Sequence, residues 1–128
     1  MIEKIKLNNL KWGIVTNKPY VYASKIIEET PDLSSCMALV CPDHLKKAKP
    51  SPEGILLACN QLNLNPKEVI YFGDHQKDLM ASRAAGTLTA ACTYGYALKS
   101  SDLENDDIEV RNLLEFSKTN FKSLDEHA

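Results

Sequence analysis

Three short stretches hold the side chains of this sequence that are best suited to chemistry. Thr16-Asn17-Lys18 places a hydroxyl, an amide and an ammonium in succession. Lys49 lies within Lys47-Ala48-Lys49-Pro50-Ser51-Pro52. Gly73-Asp74-His75-Gln76-Lys77-Asp78 supplies the carboxylates of Asp74 and Asp78. Together these groups suit phosphoryl transfer. A hydroxyl and backbone amides can hold phosphate oxygens, and a lysine neutralises charge that builds in the transition state. Carboxylates hold a hard cation such as magnesium, which prefers oxygen ligands. Each stretch alone also has an ordinary structural reading. Thr-Asn after a strand is common turn chemistry, a lysine before proline is usually solvated, and Asp74 could cap the next helix.

Position along the chain favours the chemical reading, because each stretch follows an apolar run. Trp12 to Thr16, Cys36 to Cys41, Val69 to Phe72 and Leu88 to Thr93 read as short strands, apolar on both faces. Between them lie helical patterns. Tyr20 to Glu29 puts Ala23, Ile26 and Ile27 on one face, with Pro31 just beyond. Ser51 suits an N-cap with Pro52 at the first helical position, and Ile55, Leu56, Cys59 and Leu62 form the stripe that follows. Asp78 to Ala85 reads as a helix ending at Gly86. Val110, Leu113, Leu114, Ser117, Phe121 and Leu124 suggest a final helix, and the residues from about 118 form a polar tail. Alternating strands and helices predict an α/β domain with a parallel sheet, helices covering both faces. In such sheets ligands bind beyond the carboxyl ends of the strands, where the three stretches fall.

The bulk numbers bound the rest. The 128 residues suit one domain, with 44% hydrophobic and 25% charged residues. The net charge of −2 predicts no general attraction to nucleic acid or anionic membranes. No apolar stretch is long enough to span a bilayer, and Met1 to Leu10 has no signal-peptide core. A cytoplasmic protein is expected. Cys36, Cys41, Cys59 and Cys92 form no C-x-x-C pair and read as reduced, structural thiols. His44, His75 and His127 are scattered.

Trp12-Gly13-Ile14-Val15-Thr16-Asn17-Lys18, Lys49-Pro50, and Gly73-Asp74-His75-Gln76-Lys77-Asp78 with Ala84-Ala85-Gly86 resemble motifs II, III and IV of the haloacid-dehalogenase superfamily. The resemblance covers nearly the whole chain. Val15-Thr16-Asn17-Lys18-Pro19 and Thr93-Tyr94-Gly95-Tyr96 are similar to the phosphoglycolate phosphatase-like branch and to its relatives acting on N-acetylmuramic acid 6-phosphate. It implies a Rossmann-like core and hydrolysis of a small phosphorylated metabolite with Mg2+. It implies that Thr16 and the Asn17 amide hold the phosphate, and that Lys49 bridges the phosphate and the attacking carboxylate. Asp74 would bind magnesium directly, with Asp78 supporting the metal through water or by fixing the loop. A response-regulator receiver has similar residue types in a different chain order and is set aside.

The sequence departs from the family in one large respect. Members begin with a strand carrying D-x-D-G-T, whose first aspartate attacks phosphorus and whose second is the general acid/base. No such motif occurs here, and Asp106-Asp107 lies in a polar region, not after a strand. The helical cap that sits between motifs I and II is absent as well. The chain therefore reads as one partial core domain, 1–128, truncated and inactive alone, or as a non-catalytic remnant retaining a phosphate or magnesium site. In the family the missing strand lies at the centre of the sheet, between the strands ending at Thr16 and Phe72. Either those strands close up and pair, or their gap is retained, filled by a partner chain or left poorly packed. The retained gap is favoured, because the helices are shaped to cover a five-stranded sheet. It predicts self-association or complementation by a chain carrying the first strand.

Overall fold

The computed structural model describes residues 10–94, 97–104 and 106–112. In chain order the elements are β1 (Gly13–Val15), α1 (Tyr20–Glu29), β2 (Ala38–Val40), α2 (Glu53–Leu62), β3 (Ile70–Gly73), α3 (Gln76–Ala85), β4 (Leu88–Cys92) and β5 (Ile108–Val110). Single 3₁₀ turns stand at Pro31–Leu33, Pro42–His44, Pro66–Glu68 and Ser100–Asp102. This is the parallel α/β architecture expected from the sequence.

The strands form two sheets. β1 pairs with β2, with Ile14 opposite Leu39, and β3-β4-β5 form a second sheet. Every pairing is parallel. Among the described residues no ladder joins β1 to β3, so these two strands have not closed up and paired directly.

The two sheets share a helical layer. Val15 of β1 packs with Val69 and Tyr71 on the cluster of Ile55, Cys59, Ala81 and Ala85, which belongs to α2 and α3. The opposite face of the larger sheet carries Ile70, Phe72, Ala90, Cys92, Ile108 and Val110. The period of two along β3 thus sends Tyr71 to the helices and its neighbours away from them. Under α3 the buried Ser82 hydroxyl is 2.7 Å from both the Thr87 and Thr89 hydroxyls, so these core oxygens satisfy one another.

Local chemistry explains the boundaries. The cap position of α2 is Pro52, one residue later than expected, although the Ser51 hydroxyl still accepts the Glu53 amide at 3.3 Å. Gly86 ends α3 with a φ of 83°, a left-handed conformation that glycine adopts without strain. Gly13 lies so close to β2 that an added Cβ would stand 2.8 Å from the Ala38 carbonyl oxygen.

Several expectations need correction. Val110 belongs to β5 rather than to a final helix, and Leu113, Leu114, Ser117, Phe121, Leu124 and the tail from 118 lie outside the described residues. Its partner β4 is buried from Thr89 to Cys92, and a third parallel strand covers its outer edge. Asp107 is not a solvated tail residue. Its side chain is 3% exposed and pairs with Arg83 of α3, which secures the approach to β5. On α1 only Ala23 is buried, and Ile26 is exposed. Leu56 is exposed as well, whereas Ala58 joins the buried face of α2.

Candidate functional site

The site is built at the carboxyl end of β3. Gly73 closes the strand, and the chain turns through Asp74 and His75 into α3. His75 caps the helix, its ring Nδ1 accepting the Lys77 amide at 3.1 Å. Asp74 is thereby free of the capping task, and its exposed carboxylate accepts no hydrogen bond from the described residues. Asp78 lies in the first turn of α3, 7% exposed, folded back over Gly73. A Cβ on Gly73 would fall 2.3 Å from the Asp78 Cβ, so only glycine allows this approach.

Asp78 uses both carboxylate oxygens. One accepts the Lys49 ammonium at 2.5 Å, and the other accepts the Asp74 backbone amide at 3.2 Å. Lys49 also donates to the Tyr71 hydroxyl at 3.3 Å. The structure therefore joins Lys49, Asp74 and Asp78 in one hydrogen-bonded run. Asp78 fixes the loop and the lysine, and the Asp74 carboxylate is left exposed.

Thr16 and Asn17 stand at the carboxyl end of β1, on the far side of the sheet break. The Thr16 amide donates to Val40 at 3.0 Å, and its hydroxyl accepts the Lys18 amide at 3.1 Å. Neither residue is hydrogen-bonded to the Lys49 run. Sequence reasoning passed over Tyr71. Its signal was a single phenol hydroxyl in an apolar strand run, three positions before Asp74.

Burial would lower the Lys49 pKa, but the hydrogen bond to Asp78 and the surrounding charges outweigh it and raise the value above its usual 10.5. Lys49 is thus a fixed cation at neutral pH rather than a proton donor. Burial likewise raises Tyr71 above its usual 10.0. A raised value means that the folded chain holds protons the unfolded chain has lost, so stability falls as pH rises. For this pair the stability is complete below pH 10.0 and is lost through the higher folded values. The buried thiols of Cys59 and Cys92, raised from 9.0 by desolvation, add to the same trend. Thermal melts should fall steeply above about pH 10, and the fall should be shallower in Tyr71→Phe.

Among the described residues no three His, Cys, Asp or Glu side chains converge as a metal cluster. Asp74 still fits a magnesium ion in part. Its carboxylate is exposed and unengaged, and magnesium keeps several water ligands readily. Asp78 fits less well as a direct ligand, because both of its oxygens are already bonded.

The fold is a parallel α/β core that gathers Lys49, Asp74 and Asp78 at the carboxyl end of β3. Residues 1–92 match the haloacid dehalogenase-like hydrolase family, and the chain belongs to it. An N-acetylmuramic acid 6-phosphate phosphatase of Pseudomonas putida is 41% identical over 120 residues, covering 92% of this chain and 54% of that protein. A phosphoglycolate phosphatase of Xanthomonas campestris is 33% identical over 102 residues, covering 80% of this chain and 46% of that protein. A crystal structure described as a predicted phosphoglycolate phosphatase from Haemophilus somnus superposes with a TM-score of 0.77 at 25% identity, over 91% of this chain and 54% of that one. The chain thus spans about half the length of the curated relatives it matches.

Proposed function

We propose that this chain carries the phosphate- and metal-binding side of a phosphatase that hydrolyses a small phosphate monoester. The observation behind the reading is the Lys49–Asp78–Asp74 run at the carboxyl end of β3, in a chain of this family. Thr16 and the Asn17 amide hold phosphate oxygens, and Lys49 offsets their charge. Asp74 holds Mg2+, which when bound withdraws charge from the phosphate. Asp78 acts through its partners, orienting the Lys49 ammonium and the Asp74 backbone. The setting is cytoplasmic. Free Cys36, Cys41, Cys59 and Cys92 support that placement, and no helix among the described residues is long and apolar enough to cross a membrane.

The named relatives act on N-acetylmuramic acid 6-phosphate and phosphoglycolate, both phosphate monoesters. The first is the substrate to test first, because identity to that relative is higher. The family's route runs through an aspartyl-phosphate, and these 128 residues contain no D-x-D-G-T. The chain alone should therefore release no phosphate from either substrate or from p-nitrophenyl phosphate. A second reading, a non-catalytic domain, is favoured by Asp78 spending both oxygens internally.

A chimera separates the two. The amino-terminal half of the Pseudomonas putida relative, fused ahead of this chain, should give magnesium-dependent hydrolysis. Lys49→Met and Asp74→Asn should each lower kcat/KM of the chimera by about 10²-fold or more. A folded, active chimera indifferent to both changes would overturn the phosphatase reading of these residues.

A further inference from the structure

Tyr94 follows the end of β4 and is 56% exposed. Exposed aromatics are common on proteins, and exposure alone says little. Position says more. β3 and β4 are neighbouring parallel strands with Gly73 opposite Ala91, so the next step along each sets Asp74 beside Cys92. Ile70, Phe72, Ala90 and Cys92 share the sheet face away from α2 and α3. Continuing the alternation along β3 by one residue places Asp74 on that face as well. Tyr94 stands at the same corner. Its hydroxyl is hydrogen-bonded to the buried Cys92 thiol, and the Asp74 carboxylate is near enough for its charge to act on the phenol.

The backbone that carries Tyr94 is fastened on both sides. Before it, the Thr93 amide donates to the Val110 carbonyl at 3.0 Å, and the Thr93 hydroxyl donates to Glu109 at 2.8 Å. After it, Leu98 is 3% exposed and packs with Leu79 and Ala91. Asp102 then accepts the Gln76 side-chain amide at 2.9 Å and the Lys99 backbone amide at 2.8 Å. Gln76 opens α3, two positions after Asp74, so one framework holds both the carboxylate and the phenol. Burial, and then the Cys92 contact, raise the phenol above its usual 10.0. Tyr94 therefore keeps its proton at neutral pH and gives it to the sulfur. With that proton committed, the side chain offers a ligand no donor. What it offers is the face of its ring, which suits the apolar CH face of another ring. A sugar ring has such a face. A glycolate group, one methylene and a carboxylate, has none.

We propose that Tyr94 is a specificity-determining residue of this site: its ring is the wall on which the alcohol part of the substrate lies, and that alcohol is a sugar ring. β4 is one strand beyond β3, a spacing of roughly 4.8 Å, so a ring esterified to a phosphate beside Asp74 reaches Tyr94. The anchored loop keeps the wall in place before substrate arrives. The inference rests on the phosphatase reading and adds a substrate class to it, phosphate monoesters of sugars over those of small hydroxy acids.

The test uses the full chain with magnesium and three probes: inorganic phosphate, phosphoglycolate and glucose 6-phosphate. NMR titration gives the affinities, and saturation transfer from aromatic ring protons to the sugar CH protons reports contact. Glucose 6-phosphate should bind about threefold to tenfold more tightly than the other two and should show the transfer. Tyr94→Ala should remove both the preference and the transfer while leaving the other two affinities unchanged. Tyr94→Phe, which keeps the ring, should retain the preference. Equal binding of glucose 6-phosphate by the parent and Tyr94→Ala overturns the assignment. A loss shared equally by all three probes also overturns it, since Tyr94 then only supports the loop. So does a Tyr94→Phe variant as weak as Tyr94→Ala, because the hydroxyl rather than the ring then makes the contact. Phosphate shifts at Thr16 and Lys49 without a Tyr94-dependent preference remove this inference alone. No shifts there with any probe remove the phosphatase reading and this inference together.

Discussion

Asp78→Ala should destabilise the folded chain by about 3–5 kcal/mol, the usual cost of removing one partner from a buried ion pair. Asp78 is 7% exposed, and the Lys49 side chain, 12% exposed, is held against it at 2.5 Å. Truncation leaves the lysine charge enclosed with only the Tyr71 hydroxyl as acceptor. It also frees the Asp74 amide, which Asp78 now accepts. Domains of this size have total stabilities of about 5–15 kcal/mol, so much of the margin would be lost. Chemical denaturation at pH 7 measures the effect. Lys49→Met in the Asp78→Ala background should recover part of the loss, since no charge then remains buried and unpaired. An Asp78→Ala variant within about 0.5 kcal/mol of the parent, as surface changes usually are, would show that the pair is not coupled to the fold.

Gly73→Ala should cost about 3 kcal/mol, at the upper end of typical overpacking. The added Cβ would sit 2.3 Å from the Asp78 Cβ, 3.1 Å from its Cγ and 3.3 Å from one carboxylate oxygen. The first turn of α3 or the end of β3 must move, and either movement pulls Asp78 from Lys49 and from the Asp74 amide. The clash is with the Cβ, so Asp78→Ala does not relieve it. The double variant should be less stable than Asp78→Ala alone. Amide shifts in Gly73→Ala should spread over 73–78 and reach Lys49. A variant as stable as the parent, with those signals unmoved, would contradict the close approach.

The parts of the molecule governed by local pattern were open to sequence reasoning. α1 runs over Tyr20–Glu29 as expected, with Pro31 just beyond it, and α3 stops at Gly86. β1 and β3 end where Thr16 and Asp74 were expected to emerge. Lys49 and Asp78, 29 positions apart, were each singled out in the sequence, but their direct pairing was not. What escaped depends on tertiary partners. β5 is three residues long, Ile108–Val110, and becomes a strand by pairing with β4. Asp107 looks like tail chemistry until Arg83 is seen beside it. Tyr71 gains its role from a lysine that no local spacing connects to it. Gly73 could be read as a turn former, whereas its purpose is room for Asp78. That β1 and β3 would not pair directly was expected from the family resemblance rather than from periodicity.

The central claim is that Thr16, Asn17, Lys49 and the Gly73–Asp78 loop form a phosphate and magnesium site on this chain. Backbone and lysine NMR signals, followed during titration with magnesium and then with inorganic phosphate, test it most directly. Magnesium should shift Gly73 to Asp78 only at millimolar concentration, since a single free carboxylate leaves most of the ion's ligands to water. Phosphate added with magnesium should shift the Thr16 and Asn17 amides and the Lys49 side chain, and Asp74→Asn should abolish the magnesium response. Shifts centred away from these residues, or a magnesium response that persists in Asp74→Asn, would contradict the account.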